Sequence, residues 1–174
     1  MRAFIALAAV LAAGLSLPAL AQESATAEFI NGEKKVVGKA SLLQAPGGLI
    51  IHVEIAAGGL PPGPHGVHIH ARGTCDDPPG FTASGAHMNP DNKKHGLMNP
   101  EGPDAGDLPN LFAHADGSAQ AEFYTTLASL SGSARPALLD ADGAAIVIHA
   151  NRDDHFSQPI GGAGPRIACG VVKK

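Results

Sequence analysis

Gly66-Val67-His68-Ile69-His70 is the stretch on which the reading of this chain turns. In an extended segment alternate side chains point the same way, so His68 and His70 lie on one side of a strand, where both imidazoles can reach a single metal ion. One strand cannot complete a metal site. The rest of the chain has to supply the remaining ligands and a frame to hold them.

Upstream, Leu49-Ile50-Ile51-His52-Val53-Glu54-Ile55 is a strand rich in β-branched residues. Gly58-Gly59-Leu60-Pro61-Pro62-Gly63-Pro64 breaks the pattern before the histidine strand. Further back, residues 25–30 and 35–43 read as strands flanking Asn31-Gly32, a hairpin signal, and Pro46-Gly47-Gly48 marks the next turn. This is the rhythm of a β-meander.

Downstream, from Ala71 to about Pro109, periodicity gives way to Gly, Pro, Asp and Asn. A structureless stretch of that length inside a compact domain argues against the assignment or else marks a functional loop. It carries His87, His95, Asp104 and Asp107, which makes it a metal-organised loop. Strands resume at residues 119–125 and 144–149, a second long loop runs to Pro165, and residues 166–172 form a last strand. Only residues 127–130 and 137–139 could form a helical turn. Many short strands between turn signals indicate an all-β antiparallel sandwich or barrel.

The chain opens with Met1-Arg2, an apolar run over residues 3–17, Pro18 and Ala19-Leu20-Ala21. That pattern reads as a secretory signal cleaved after Ala21, and the run falls short of the roughly 20 apolar residues of a spanning helix. Residues 22–174 are the size of a single domain. The formal net charge is −4, and losing Arg2 with the leader makes it one unit more negative. With no basic cluster, nucleic acid is not an expected partner. Any attraction for an anion has to be local.

Two cysteines, Cys75 and Cys169, lie far apart. In an exported chain they read most simply as a disulfide; free thiols and thiolate metal ligands are the alternatives, and neither cysteine has the close Cys or His neighbour of a zinc–thiolate site.

The candidate ligands fall into two sets. His68, His70, His87 and His149 offer four imidazoles, which suit copper, zinc or nickel and, in a tetragonal arrangement, Cu(II). His87, His95, Asp104 and Asp107 offer mixed nitrogen and oxygen ligands of the kind zinc accepts. His87 belongs to both, and a deprotonated imidazole can bridge two metals. His52, His65, His114 and His155 are read as surface or hydrogen-bonded residues.

Taken together, these motifs resemble the copper/zinc superoxide dismutases in their bacterial secreted form. Gly66 to His70 is similar to the family's first signature, and Gly161-Gly162-Ala163-Gly164-Pro165-Arg166-Ile167-Ala168-Cys169-Gly170 to its second. The resemblance implies a Greek-key β-sandwich or flattened barrel with two long functional loops, electrostatic steering and fast turnover. It implies one copper per subunit on His68, His70, His87 and His149, and one zinc on His87, His95, Asp104 and Asp107. It makes Cys75–Cys169 an intramolecular disulfide tying the long loop to the last strand. Arg166 takes the place of the arginine that guides the anion, and Asp153 that of a carboxylate linking His68 to His95. Most members have a third zinc histidine where this chain has Asp104, which reads either as a ligand or as a turn residue after Gly102-Pro103.

The implied activity is conversion of two superoxide anions to oxygen and hydrogen peroxide in the periplasm, with copper alternating between oxidation states and His87 and Arg166 at the reacting centre. The alternatives are a periplasmic copper-buffering protein on the same fold, which would bind copper without turnover, and an exported adhesion module, which would bind none. Monomer and homodimer are both compatible with the sequence.

Overall fold

The computed structural model describes residues 22–132 and 134–174; the leader expected over residues 1–21 lies outside them. Nine strands follow in chain order: β1 (Ser24–Asn31), β2 (Val36–Ala45), β3 (Gly48–Ile55), β4 (Gly63–His65), β5 (Val67–His70), β6 (Leu111–Ala113), β7 (Ala119–Thr125), β8 (Ala145–His149) and β9 (Arg166–Lys173). The one helical element among the described residues is a short 3-10 turn, Thr82–Ser84. Residues 127–130 and 137–139 are not helical; they meet through a bridge between Ser129 and Ala137.

Seven strands form one antiparallel sheet in the order β5-β8-β9-β1-β2-β3-β7, and β4 pairs with β6. Chain-adjacent β1, β2 and β3 are neighbours, whereas the chain crosses from β3 to β5 at the opposite edge and later returns from β7 to β8. Those crossings are the Greek-key element. The small β4–β6 pair joins the two edges, because β4 runs into edge strand β5 through Gly66 and β6 turns through residues 114–118 into edge strand β7. The sheet thereby curls into a flattened barrel.

Local chemistry explains the hairpins. Asn31 accepts the backbone N–H groups of Glu33 and Lys35 on its side-chain oxygen, at 2.9 and 3.0 Å, and the left-handed residue of the turn is Lys34. Between β2 and β3 only Pro46-Gly47 intervenes, and Ala45 pairs with Gly48.

Alternation fills the barrel. Ala25, Ala27 and Phe29 of β1, Ala40 and Leu42 of β2, and Leu49, Ile51 and Val53 of β3 are buried in one core with Val67 and Ile69 of β5. Each large side chain fully buried in this way is worth about 1.5–3 kcal/mol. In β8 every residue is buried: Ile146 and Ile148 join that core, while Ala145 and Val147 pack outward against Cys75, Phe81 and Cys169. The long loop therefore covers the outer face of β8, and the disulfide Cys75–Cys169, with Cα atoms 5.9 Å apart, fastens it to β9.

Candidate metal centre

The pleat of β5 sends Val67 and Ile69 into the core and His68 and His70 to the other face, where both are buried. The outer edge of β5 would expose unpaired backbone groups. Two pieces of the long loop cover it: Ile69 donates its N–H to Gly106 O and accepts that of Met88, both at 2.8 Å, and isolated bridges set His70 opposite His87 and His68 opposite Asp107. The sheet edge thus fixes two loop ligands in register with two strand ligands. On the other side of β5, His149 ends β8 at a register shift, which re-aims it, and pairs with Arg166 of β9.

One donor atom from each of His68, His70, His87 and His149 lies within 4.8 Å of the others. In each ring one nitrogen is already occupied. His68 Nε2 donates to Asp153 Oδ2 at 2.8 Å, His70 Nδ1 to Gly85 O at 2.9 Å and His149 Nδ1 to Gly164 O at 2.9 Å, while His87 Nδ1 lies 3.0 Å from Asp104 Oδ2. The other nitrogens, His68 Nδ1 and Nε2 of His70, His87 and His149, are buried with no partner. Four desolvated lone pairs without a proton donor are costly, and a metal ion satisfies all of them at once. The donor set fits copper.

Around the second nitrogen of His87 the surroundings change to carboxylates. His95 Nδ1 lies 2.6 Å from Asp107 Oδ1, which is 3.6 Å from His87 Nδ1. With Asp104 Oδ2 3.0 Å from the same nitrogen, carboxylate oxygens stand beside both His87 and His95, the mixed nitrogen and oxygen surroundings that zinc accepts. Proximity groups His87, His95 and Asp107 with His68 and leaves Asp104 out. His68, however, gives one nitrogen to Asp153 and is counted with the other three histidines through its other. Asp104 is a turn residue as well: its Oδ1 accepts the Gly106 N–H at 2.9 Å.

Asp153 lies between the two groups. Its Oδ2 accepts from His68 and its Oδ1 accepts from His95 Nε2 at 3.1 Å, so one carboxylate orients a ring of each cluster. The Gly-rich stretch makes room for it. A Cβ on Gly161, whose φ is 61°, would collide with the Asp153 carboxylate and lie 2.9 Å from His95 Nε2.

Charge separates the clusters further. Burial holds His70 well below the ordinary imidazole value and takes His149 down to about 3; burial also lowers His68 against its bond to Asp153. At His87 burial is outweighed by Asp104 and Asp107, and at His95 by Asp107 and Asp153, which raise it to about 10. Burial would raise Asp107 and Asp153, but their histidine partners hold both well below the usual carboxylate range.

Arg166 donates from Nη1 to Phe81 O at 2.5 Å and to Ser84 Oγ at 3.1 Å, and from Nη2 to Gly85 O at 2.8 Å. Gly85 O is also the acceptor that orients His70, so the 3-10 turn holds the guanidinium and a cluster ring in one frame. A cleft over His70 and His87 is lined by Arg166 together with Lys93, Lys94, Gln158, Pro159 and Ile160. The two lysines escaped the sequence reading, as did Gln158, whose amide accepts the His95 N–H at 3.0 Å and donates to His95 O at 2.8 Å. Nothing in their spacing signals the site; only the fold brings residues 93–95 and 158–160 together. Among the histidines set aside, His65 is buried with its ring nitrogens 2.8 and 2.7 Å from the carbonyls of His149 and Pro61.

A Greek-key barrel carrying two adjoining buried clusters of candidate ligands that meet at His68 and His87 defines a two-metal β-barrel class. The copper/zinc superoxide dismutase family matches residues 36–172. A Cu-Zn superoxide dismutase of Caulobacter vibrioides is 53% identical over 152 residues, 86% of each chain, and Cu-Zn superoxide dismutase 2 of Aquifex aeolicus is 44% identical over 150 residues, again 86% of each. Among solved structures, a superoxide dismutase-like protein of Bacillus subtilis superposes with a TM-score of 0.78 at 38% identity, covering 84% of this chain and 96% of that one. The Cu/Zn superoxide dismutase of Brucella abortus does so with a TM-score of 0.68 at 32% identity, covering 87% and 100%. The chain belongs to the copper/zinc superoxide dismutase family.

Proposed function

We propose that this chain is a superoxide dismutase that holds copper on His68, His70, His87 and His149 and zinc on His87, His95, Asp104 and Asp107. The observation that carries the reading is the set of four buried imidazole nitrogens, one per ring, left without partners and gathered together. What copper would supply when bound is a one-electron couple between two superoxide anions, which with two protons, one passed from His87 and one from solvent, become oxygen and hydrogen peroxide.

The chain's own residues do the rest. Arg166, held by three acceptors, offers a fixed positive charge at the cleft, and Lys93 and Lys94 widen that local field on a chain of net negative charge. His87 Nε2 is the atom that can hold a proton on the copper side and pass it to the product, while its Nδ1 stays with Asp104 and Asp107. Asp153 keeps the rings of His68 and His95 turned the right way.

Export to the periplasm through a leader ending at Ala21 completes the reading, and the disulfide suits an oxidising compartment. No helix among the described residues is long and apolar enough to cross a membrane. Sedimentation of the exported domain distinguishes a monomer from a homodimer. Pulse radiolysis of protein loaded with both metals tests the activity: catalytic loss of superoxide is the predicted result, and bound copper without catalytic loss would leave a copper-buffering protein instead.

A further inference from the structure

We propose that His155 is a positioning residue for the Asp153 carboxylate, its tautomer set by Asn110; this rests on the two-metal reading, yet its first test needs no metal. Backbone groups of Asp153, whose donor and acceptor roles are fixed, orient the Asn110 amide. Asp153 N–H donates to Asn110 Oδ1 at 2.8 Å and Asp153 O accepts from Asn110 Nδ2 at 2.9 Å. A backbone amide can only donate and a carbonyl only accept, so the orientation of the Asn110 amide is determined.

The same Asn110 Nδ2 lies 2.9 Å from His155 Nε2. An amide NH2 has nothing but protons to offer, so Nε2 must be the bare, accepting nitrogen and Nδ1 must carry the hydrogen. That Nδ1 is buried, has no hydrogen-bond partner and sits 3.6 Å from Asp153 Oδ2. It is too far for a hydrogen bond but stands beside the oxygen that accepts from His68.

The backbone of His155 holds the ring in place. Its N–H donates to Asp153 Oδ1 at 2.6 Å, its carbonyl accepts the Met98 N–H at 3.0 Å, and its φ is 62°. A Cβ on Gly96 would strike that carbonyl, so the zinc-side loop packs directly on it. Asp153 thus accepts from His68 at Oδ2 and from His95 and the His155 N–H at Oδ1, with His155 Nδ1 3.6 Å from Oδ2. Removing the His155 ring hydrogen leaves Oδ2 to His68 alone and lets the carboxylate turn away from His95.

The first test is nitrogen NMR of metal-free protein with labelled histidine at neutral pH. The predicted signature is His155 protonated at Nδ1 and bare at Nε2; the opposite tautomer overturns the proposal without any variant. The second compares three substitutions. His155→Asn tolerates a positive φ and places an amide donor near Nδ1, so it keeps the ring N–H signals of His68 and His95 and a zinc dissociation constant within about twofold of the parent. His155→Gln puts its amide nearer the level of Nε2, and His155→Phe has none; both shift those ring N–H signals and weaken zinc about tenfold. Unmoved signals with unchanged zinc affinity in the Phe and Gln variants would overturn the role. If the parent protein takes up no zinc, the two-metal reading fails, while the tautomer and the ring N–H shifts still decide the part played by His155.

Discussion

The two ends of the His87 ring look onto different environments. On the copper side, His68, His70 and His149 come from strands β5 and β8, their burial lowers their pKa values, and backbone carbonyls orient His70 and His149. On the side proposed for zinc, His95, Asp104 and Asp107 all come from the long loop, and carboxylates raise His87 and His95. The first cluster is built into the barrel wall with its rings shifted toward the neutral form; the second is a loop pinned at one sheet edge with its rings shifted toward the charged form. The copper half should therefore resist changes in the loop, and the zinc half should respond to them and to pH.

The largest effect should come from the barrel wall itself. His149→Ala leaves three rings on the copper side and is expected to abolish superoxide turnover while zinc still binds, checked by elemental analysis beside pulse radiolysis. Loss of both metals together would mean that the halves are not separable. Next, Gly161→Ala drives a Cβ into the Asp153 carboxylate beside His95 and should weaken zinc by about 10–100-fold, the usual cost of disturbing a group that orients a ligand. Copper retention should change far less, and competition with chelators measures both.

Arg166→Ala should lower kcat/KM by about tenfold and flatten its dependence on ionic strength with copper still bound, within the range over which local fields act on small anions. Arg166→Lys should recover part of the salt dependence but not the forked grip on Phe81 and Gly85. An unchanged salt profile in Arg166→Ala would remove its guiding role.

The smallest effect is a difference of one proton. Zinc must displace the proton that Asp107 and Asp153 hold on His95 up to a pKa of about 10, so below that pH zinc affinity rises as pH rises. His87, also raised, loses its proton to either metal, whereas His70 and His149 are already neutral at pH 7. Zinc binding to metal-free protein should release about one proton more than copper binding, read by calorimetry in buffers of different ionisation enthalpy. Equal release would contradict the contrast in charge.

The contrast also explains what could be read from the chain before folding. His68 and His70 announce themselves by the two-residue period of a strand, and His149 by its place at the end of an apolar run. The seven longer strands are legible for the same reason. The three-residue strands β4 and β6, which close the barrel, are not: Gly63-Pro64-His65 looks like part of a breaker, and too few residues remain in either to show a period. Asn31-Gly32 marks a hairpin correctly, but the left-handed residue falls on Lys34 because the Asn31 side chain captures the turn. Lys93, Lys94, Asn110, His155 and Gln158 are ordinary loop residues until tertiary contact brings them to the clusters. The family resemblance points to Asp104, and only the fold brings its carboxylate within 3.0 Å of His87 Nδ1.

The central claim is that one imidazole, His87, separates a copper site from a zinc site. Anomalous scattering at the copper and zinc edges from a crystal of the metal-loaded protein tests it most directly. The expected result is copper among His68, His70, His87 and His149, and zinc among His87, His95, Asp104 and Asp107. A single metal peak, the two metals exchanged, or Asp104 turned away from the zinc would contradict it.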